Sequence, residues 1–223
     1  MPVRIKKGDL RQFLVDGEYD RLLDWAKTVR NPQRFLMSLA YDPDPNVKWG
    51  SILAIGKVAR ILADDDIDKV RELIRRQLWL MNDESGGLGW SSPEIIGEIL
   101  VNVPELIDEY GALLLAFLKE EPFERGSHWA VFRIASIKPQ IYLKKAGEIA
   151  KSLNSSDSTI LLSTVLALEK IDPNRLKDDL HRLMLDSSTI EFFDIDSGEL
   201  RKTSLKETIS GLIANGSFSG FAA

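Results

Sequence analysis

The sequence predicts an all-α fold, an α-solenoid of stacked antiparallel helix pairs that ends in a small β-hairpin. Three observations predict it. Apolar residues recur at helical spacing in segments of one to two dozen residues, each set off by a capping residue or a proline. Four of those segments open on a bulky residue, Trp49, Trp90, Trp129 and Leu162, which stand 41, 39 and 33 residues apart. Seven positions after the first three come the small residues Gly56, Gly97 and Ser136, and after the fourth the larger Glu169. Periods near 30–45 residues with two helices each are the mark of a helical repeat array. A single helix pair cannot bury both its apolar faces, whereas stacked pairs cover each other. Small residues at a fixed place let the next helix come close.

The elements follow in order. Lys7 to Val29 reads as two short helices broken near Gly17, with Leu10, Phe13, Leu22 and Trp25 on the apolar face. Asn31-Pro32 caps a third, to about Ala40. Asp44 is an N-cap with Pro45 first in a helix to about Leu62, and Ala63 to Asp66 starts its partner, to about Met81. The loop Gly86-Gly-Leu-Gly89 precedes Ser92, expected as N-cap with Pro93 first in a helix to about Val101. Val103-Pro104 opens the partner, to Lys119. The third pair runs from Glu124 or Gly126 to Lys138 and from Gln140 to Leu153. The fourth starts at Asp157 and, after Asp172-Pro173, ends near Leu185. Alternating residues at Thr189–Asp194 and Leu200–Ser204, flanking Asp196-Ser-Gly198, predict a hairpin. A last helix covers Leu205 to Ala214. The whole is expected as one domain, residues 1–223: N-terminal helices over 7–44, four helix pairs over 45–185, then hairpin and terminal helix over 186–215.

Composition narrows the function. The 223 residues are 44% hydrophobic and 28% charged, with a net charge of −5. An acidic chain disfavours phosphate wrapping, so nucleic acid is not the expected partner. With no cysteine there is neither disulfide nor thiolate chemistry, which fits a reducing, cytoplasmic setting. The start of the sequence has no apolar stretch of a signal peptide, and no run is long enough to span a membrane. Two histidines far apart, His128 and His181, predict no metal site, and no motif calls for a cofactor.

With the repeat register set, the chain resembles the HEAT-like repeat proteins, and most nearly the group named after phycobilisome lyases, over about Asn31 to Leu185. That resemblance implies an armadillo-type solenoid with a groove for a partner. Four residues separate Trp90 from Glu94 and Trp129 from Arg133, a spacing that shares a helix face. The arrangement is also similar to the HEAT-type alkylpurine DNA glycosylases, although those carry Asp where this chain has Glu94. This second resemblance implies that Trp90 and Trp129 hold a modified base, Glu94 stabilises a sugar cation and Arg133 holds a phosphate.

Two functional readings follow. The first is a non-catalytic scaffold that binds a protein partner in its groove through Trp49, Trp90, Glu94, His128, Trp129 and Arg133. The alternative is an enzyme or ligand binder on the same groove, a bilin-lyase-like binder of a flat cofactor or a glycosylase. A blander reading stands beside both: the tryptophans fill seams between repeats, and Glu94 pairs with Arg133. Gly86, Gly87 and Gly89 before a helix start suit an anion. There is no GxxxxGK[ST] and no preceding strand, so this is not a nucleotide loop but equally a turn.

Overall fold

A computed structural model describes residues 7–82, 89–195 and 197–215. The described chain is mostly helical, with neighbouring helices stacked on one another and one small antiparallel hairpin. It forms two compact units, one reaching to Leu106 and including Phe193–Leu200, the other Ile107–Phe192 with the segment from Arg201 onward.

In the first unit, α1 (Lys7–Val15) and α2 (Tyr19–Thr28) turn at Gly17, whose φ of 67° suits glycine. Asn31 was expected to cap α3 (Gln33–Leu39) with its side chain. Instead it takes a left-handed φ of 61°, and Pro32 precedes the helix without a side-chain cap. Asn tolerates that conformation better than most residues, so it turns the chain by its backbone. Then α4 (Pro45–Asp65) starts where the sequence placed it, Asp44 accepting from Asn46 N–H at 3.0 Å. It runs three residues past its expected end, because Asp66 alone caps α5 (Ile67–Met81) by accepting from Asp68 N–H. α6 (Ser92–Asn102) packs against both α4 and α5. Gly56 makes the α4–α6 approach possible: a Cβ there would lie 2.6 Å from the Glu98 carbonyl oxygen. Ile52, Ile55, Ile74, Ile95 and Ile99 form the core between these helices.

Ser92 is not the N-cap. It is the first helical residue, and its hydroxyl donates to Gln77 Oε1 on α5 at 2.8 Å. Ser91 before it donates to the Ala40 carbonyl at 3.2 Å. Both serines therefore tie the start of α6 to neighbouring elements rather than closing its own first turn.

In the second unit, α8 (Glu124–Ala135) packs on α10 (Ser158–Ile171). The segments expected as long partner helices are tighter. One is 3₁₀ over Gly111–Phe117 after the single turn α7 (Ile107–Tyr110). The next is 3₁₀ over Pro139–Lys145 and Ala150–Asn154 around α9 (Ala146–Ile149). The last has a 3₁₀ turn at Pro173–Leu176 before α11 (Leu180–Leu183). These segments share a start. Val103, Lys138 and Asp172 each leave the helical region before Pro104, Pro139 and Pro173, which begin a 3₁₀ turn. Proline bars its predecessor from helical ψ and fixes its own φ. The three prolines stand 35 and 34 residues apart, a repeat interval more regular than that of the bulky leading residues. The proline marks where each segment starts rather than how it winds, since α4 also opens on a proline, Pro45, and is a continuous α-helix. Within the unit, Tyr142 is fully buried and its hydroxyl donates to the Gly111 carbonyl at 2.8 Å.

Asp157 caps α10 by accepting from Thr159 N–H at 2.9 Å and Ile160 N–H at 3.3 Å, and it also pairs with Arg125. Burial alone would raise its pKa, but Arg125 and the two amides outweigh that and hold it below the usual carboxylate value. A lowered pKa stabilises the fold above the unfolded value, and that contribution is lost as pH falls through the folded one. Asp157→Ala should therefore cost about 1–2 kcal/mol at pH 7, most of it the cap, since the Arg125 partner is largely exposed. Urea denaturation at pH 7 and pH 3 checks this, with the deficit shrinking at the lower pH.

The hairpin pairs β1 (Ile190–Asp194) with β2 (Glu199–Thr203) around Gly198, φ 70°. Its turn end belongs to the first unit, where Phe193 stacks on Trp49 at 5.2 Å between ring centroids. Its base belongs to the second, where Phe192 lies 6.1 Å from Phe132. α12 (Leu205–Ala214) has the bounds the sequence predicted, with the Ser204 hydroxyl accepting from Glu207 N–H.

Candidate functional site

The six residues singled out in the sequence divide between the units: Trp49, Trp90 and Glu94 in the first, His128, Trp129 and Arg133 in the second. The tryptophans occupy three different settings. Trp49 is the fifth residue of α4, half-buried against Phe193, with Lys48 Nζ 5.8 Å from its ring centroid. Trp90 precedes α6 and is 62% exposed, whereas Trp129, the sixth residue of α8, is 3% exposed.

Around Trp90 the first unit shows further aromatic surface. Tyr41 follows Ala40, whose carbonyl takes the Ser91 hydroxyl, so Tyr41 and Trp90 flank one contact. Trp79 is exposed near the end of α5, and the next residue, Leu80, packs closely on Gly89. A Cβ on Gly89 would meet the Leu80 carbonyl oxygen at 2.8 Å, so this glycine serves close packing. Gly86 and Gly87 lie outside the described residues, and the anion-cradle expectation rests on them.

Beneath this surface α6 carries two buried carboxylates one turn apart, Glu94 and Glu98. Glu94 is 7% exposed, and its Oε2 has no hydrogen-bond partner among the described residues. Burial pushes its pKa up; the charge of Lys48 and its own backbone N–H, at the start of the helix, pull the other way without cancelling the shift. Its charge is felt by Tyr41, whose phenol burial also raises, while a hydrogen bond with Ser92 opposes the rise. Glu98 acts likewise on Tyr19, which burial and that charge push up to about 12. Glu98, Tyr19 and Tyr41 were not singled out in the sequence. The four-residue step from Glu94 to Glu98 was the signal for the first; the tyrosines come from other helices and left none.

In the second unit His128 is 2% exposed and uses both ring nitrogens: Nδ1 lies 2.8 Å from the Glu124 carbonyl oxygen and Nε2 2.8 Å from Ser152 Oγ. A carbonyl only accepts, so Nδ1 carries the proton. Burial lowers the imidazole pKa against the Glu124 carbonyl and the Asp157 charge, which favour protonation. The ring is therefore the neutral Nδ1–H tautomer at pH 7, not a solvated cation. Arg133 places its guanidinium 5.7 Å from the Trp129 ring centroid, a cation–π contact within one helix. Among the described residues no group of three or more His, Asp or Glu is placed to hold a metal ion, and no helix is long and apolar enough to cross a membrane.

These units thus define a repeat-like helical protein with stacked helix pairs, the arrangement of a generic α-solenoid. An uncharacterized protein of Archaeoglobus fulgidus is 22% identical over 176 residues, covering 78% of this chain and 91% of the archaeal one. The likeness spans nearly all of that protein rather than a local motif. No protein family matches the chain, and no solved structure matches it significantly.

Proposed function

We propose that this chain is a HEAT-like repeat protein acting in the cytoplasm as a scaffold, and that it holds a protein partner on the aromatic surface at the start of α6, a surface that itself does no catalysis. The observation that carries the reading is the exposure of Trp90 together with Trp79 and Tyr41 on one unit. Large aromatics contribute most of the energy at protein interfaces, and contiguous apolar surface marks a place where something docks. The same surface supports the binding reading better than the glycosylase-like one. Of the four residues that reading needs, Glu94 and Trp129 are buried and Arg133 lies over the Trp129 ring. An open base-binding cleft would present them to solvent.

Trp90→Ala should leave the melting temperature within about 2 °C, as an exposed side chain outside the core costs little. Its effect on partner binding should be about 10-fold or more. Immobilised wild-type and variant proteins, exposed in parallel to extract of the source organism, test this. Loss of the same captured proteins from Trp90→Ala and Trp79→Ala, with retention by an exposed-charge variant such as Lys151→Ala, supports the surface. Equal capture by all four rejects it.

A further inference from the structure

The second unit contains an arrangement that scaffolding does not use. Ser152 lies in the 3₁₀ turn Ala150–Asn154, 24 residues from His128, and its Oγ is 2.8 Å from Nε2. Nδ1–H is committed to the Glu124 carbonyl. Nε2 of a neutral ring can then only accept, so the Ser152 hydroxyl directs its proton at it. This is a nucleophile, a base, and a group fixing the base's tautomer from behind, the logic of an activated serine. A main-chain carbonyl of α8 stands where a carboxylate often does. Because α8 holds both His128 and Glu124 one turn apart, the backbone itself keeps the ring oriented.

The pair opens into a cavity of about 230 Å³ that both residues line. Leu118 and Ile160 give it an apolar side; Lys119 and Lys151 outnumber the single carboxylate on its lining, Glu124, and leave it net positive. The volume is below the roughly 300 Å³ at which pockets begin to hold drug-sized ligands, so only a short chain enters.

We propose that Ser152 and His128 form a hydrolytic site for small carboxylic esters bearing a negative charge. Ser152 Oγ bonds to the acyl carbon as its proton passes to His128 Nε2, and the carbonyl electron pair moves onto oxygen. Collapse breaks the bond to the alcohol oxygen, which takes the proton from Nε2. Water then adds to the acyl-serine, giving a proton to Nε2. Release of the carboxylic acid returns that proton to Ser152 Oγ. Ester and water become acid and alcohol, and the enzyme is unchanged. Lys119 and Lys151 draw the anionic ester in and do not take part in bond making.

The test uses the full chain and a fluorophosphonate probe, with the adduct located by mass spectrometry. The expected result is one adduct, on Ser152, absent from Ser152→Ala and formed about 100-fold or more slowly by His128→Gln, the usual weight of a positioned base. Labelling should also fall as pH drops through the imidazole pKa. Circular dichroism confirms folding of each variant. Ser152→Cys supplies a second arm: its thiol should react with iodoacetamide faster than the same cysteine placed at Ser155. Mono-4-nitrophenyl succinate should turn over faster than 4-nitrophenyl acetate. No adduct at Ser152 of the folded wild type, or equal labelling of His128→Gln, overturns the site; equal rates for the two esters overturn the anionic preference.

Discussion

Gly56→Ala is expected to destabilise the protein by about 2–3 kcal/mol, although alanine is the better helix former by about 1 kcal/mol. The reason is a single distance. A Cβ at position 56 would sit 2.6 Å from the Glu98 carbonyl oxygen and 2.9 Å from its carbon, both backbone atoms of α6. Backbone cannot rotate away as a side chain does, so α4 and α6 must separate. The Asn102 amide, 2.7 Å from the same point, would also lose its 2.8 Å bond to the Glu98 carbonyl. Separation opens the seam between Ile52 or Ile55 and Ile95 or Ile99, all fully buried. Gly211→Ala is the matched control: it lies within α12 with nothing near its Cβ position, so it should stabilise by about 0.5–1 kcal/mol. Urea denaturation of both variants checks the pair, and the opposite signs separate helix propensity from packing. Equal effects of one sign would mean that the close approach is not what position 56 requires.

Gly56 was legible in the sequence because glycine weakens a helix, so its return at a fixed place in successive helical segments points to a close approach. Asp44-Pro45, Asp157 and Ser204 were legible for a related reason. A short polar side chain ahead of an apolar periodic run satisfies the first amides, and that chemistry is local. The 3₁₀ character of the partner segments was not legible from periodicity. Apolar residues three and four apart fit either helix, and a proline at the start does not tell them apart, since α4 opens on Pro45 and is α-helical throughout. The environment of Glu94 was missed for a different reason. A carboxylate in a helical pattern reads as one edge of a polar face, which presumes that the helix has such a face. α6 does not: from Ser92 to Leu100 every residue is buried, because α4 and α5 both pack on it. The partner of His128 was hidden by distance, since only tertiary packing brings Ser152 to it. Nor does sequence separate Trp90 from Trp129, as each simply precedes apolar residues. α6 starts two residues after Trp90, leaving it in the preceding turn; α8 starts five residues before Trp129 and carries it inward.

A buried carboxylate with an oxygen unpartnered among the described residues has a measurable signature, and Glu94→Gln should reveal it. Glutamine keeps the shape of the side chain and never ionises. The folded pKa of Glu94 lies above its unfolded value because burial opposes the charge, with Lys48 offsetting only part of this. Below the unfolded value, near pH 4.3, both states are protonated, and the glutamate and glutamine proteins should be equally stable. As pH rises, the unfolded chain ionises first, so the folded wild type loses stability until its own carboxyl titrates, after which the loss is constant. Glu94→Gln avoids that loss. Its stability relative to wild type should climb from near zero at pH 4 to a plateau of about 1–3 kcal/mol by pH 8, the scale of an unpaired buried polar group. Urea midpoints at four or five pH values give the curve. Lys48→Met should enlarge the difference at pH 8 and leave it unchanged at pH 4, because the ammonium acts on the ionised form alone. A flat difference across the range would show that Glu94 ionises in the folded protein as readily as in the unfolded chain, and that burial does not oppose its charge.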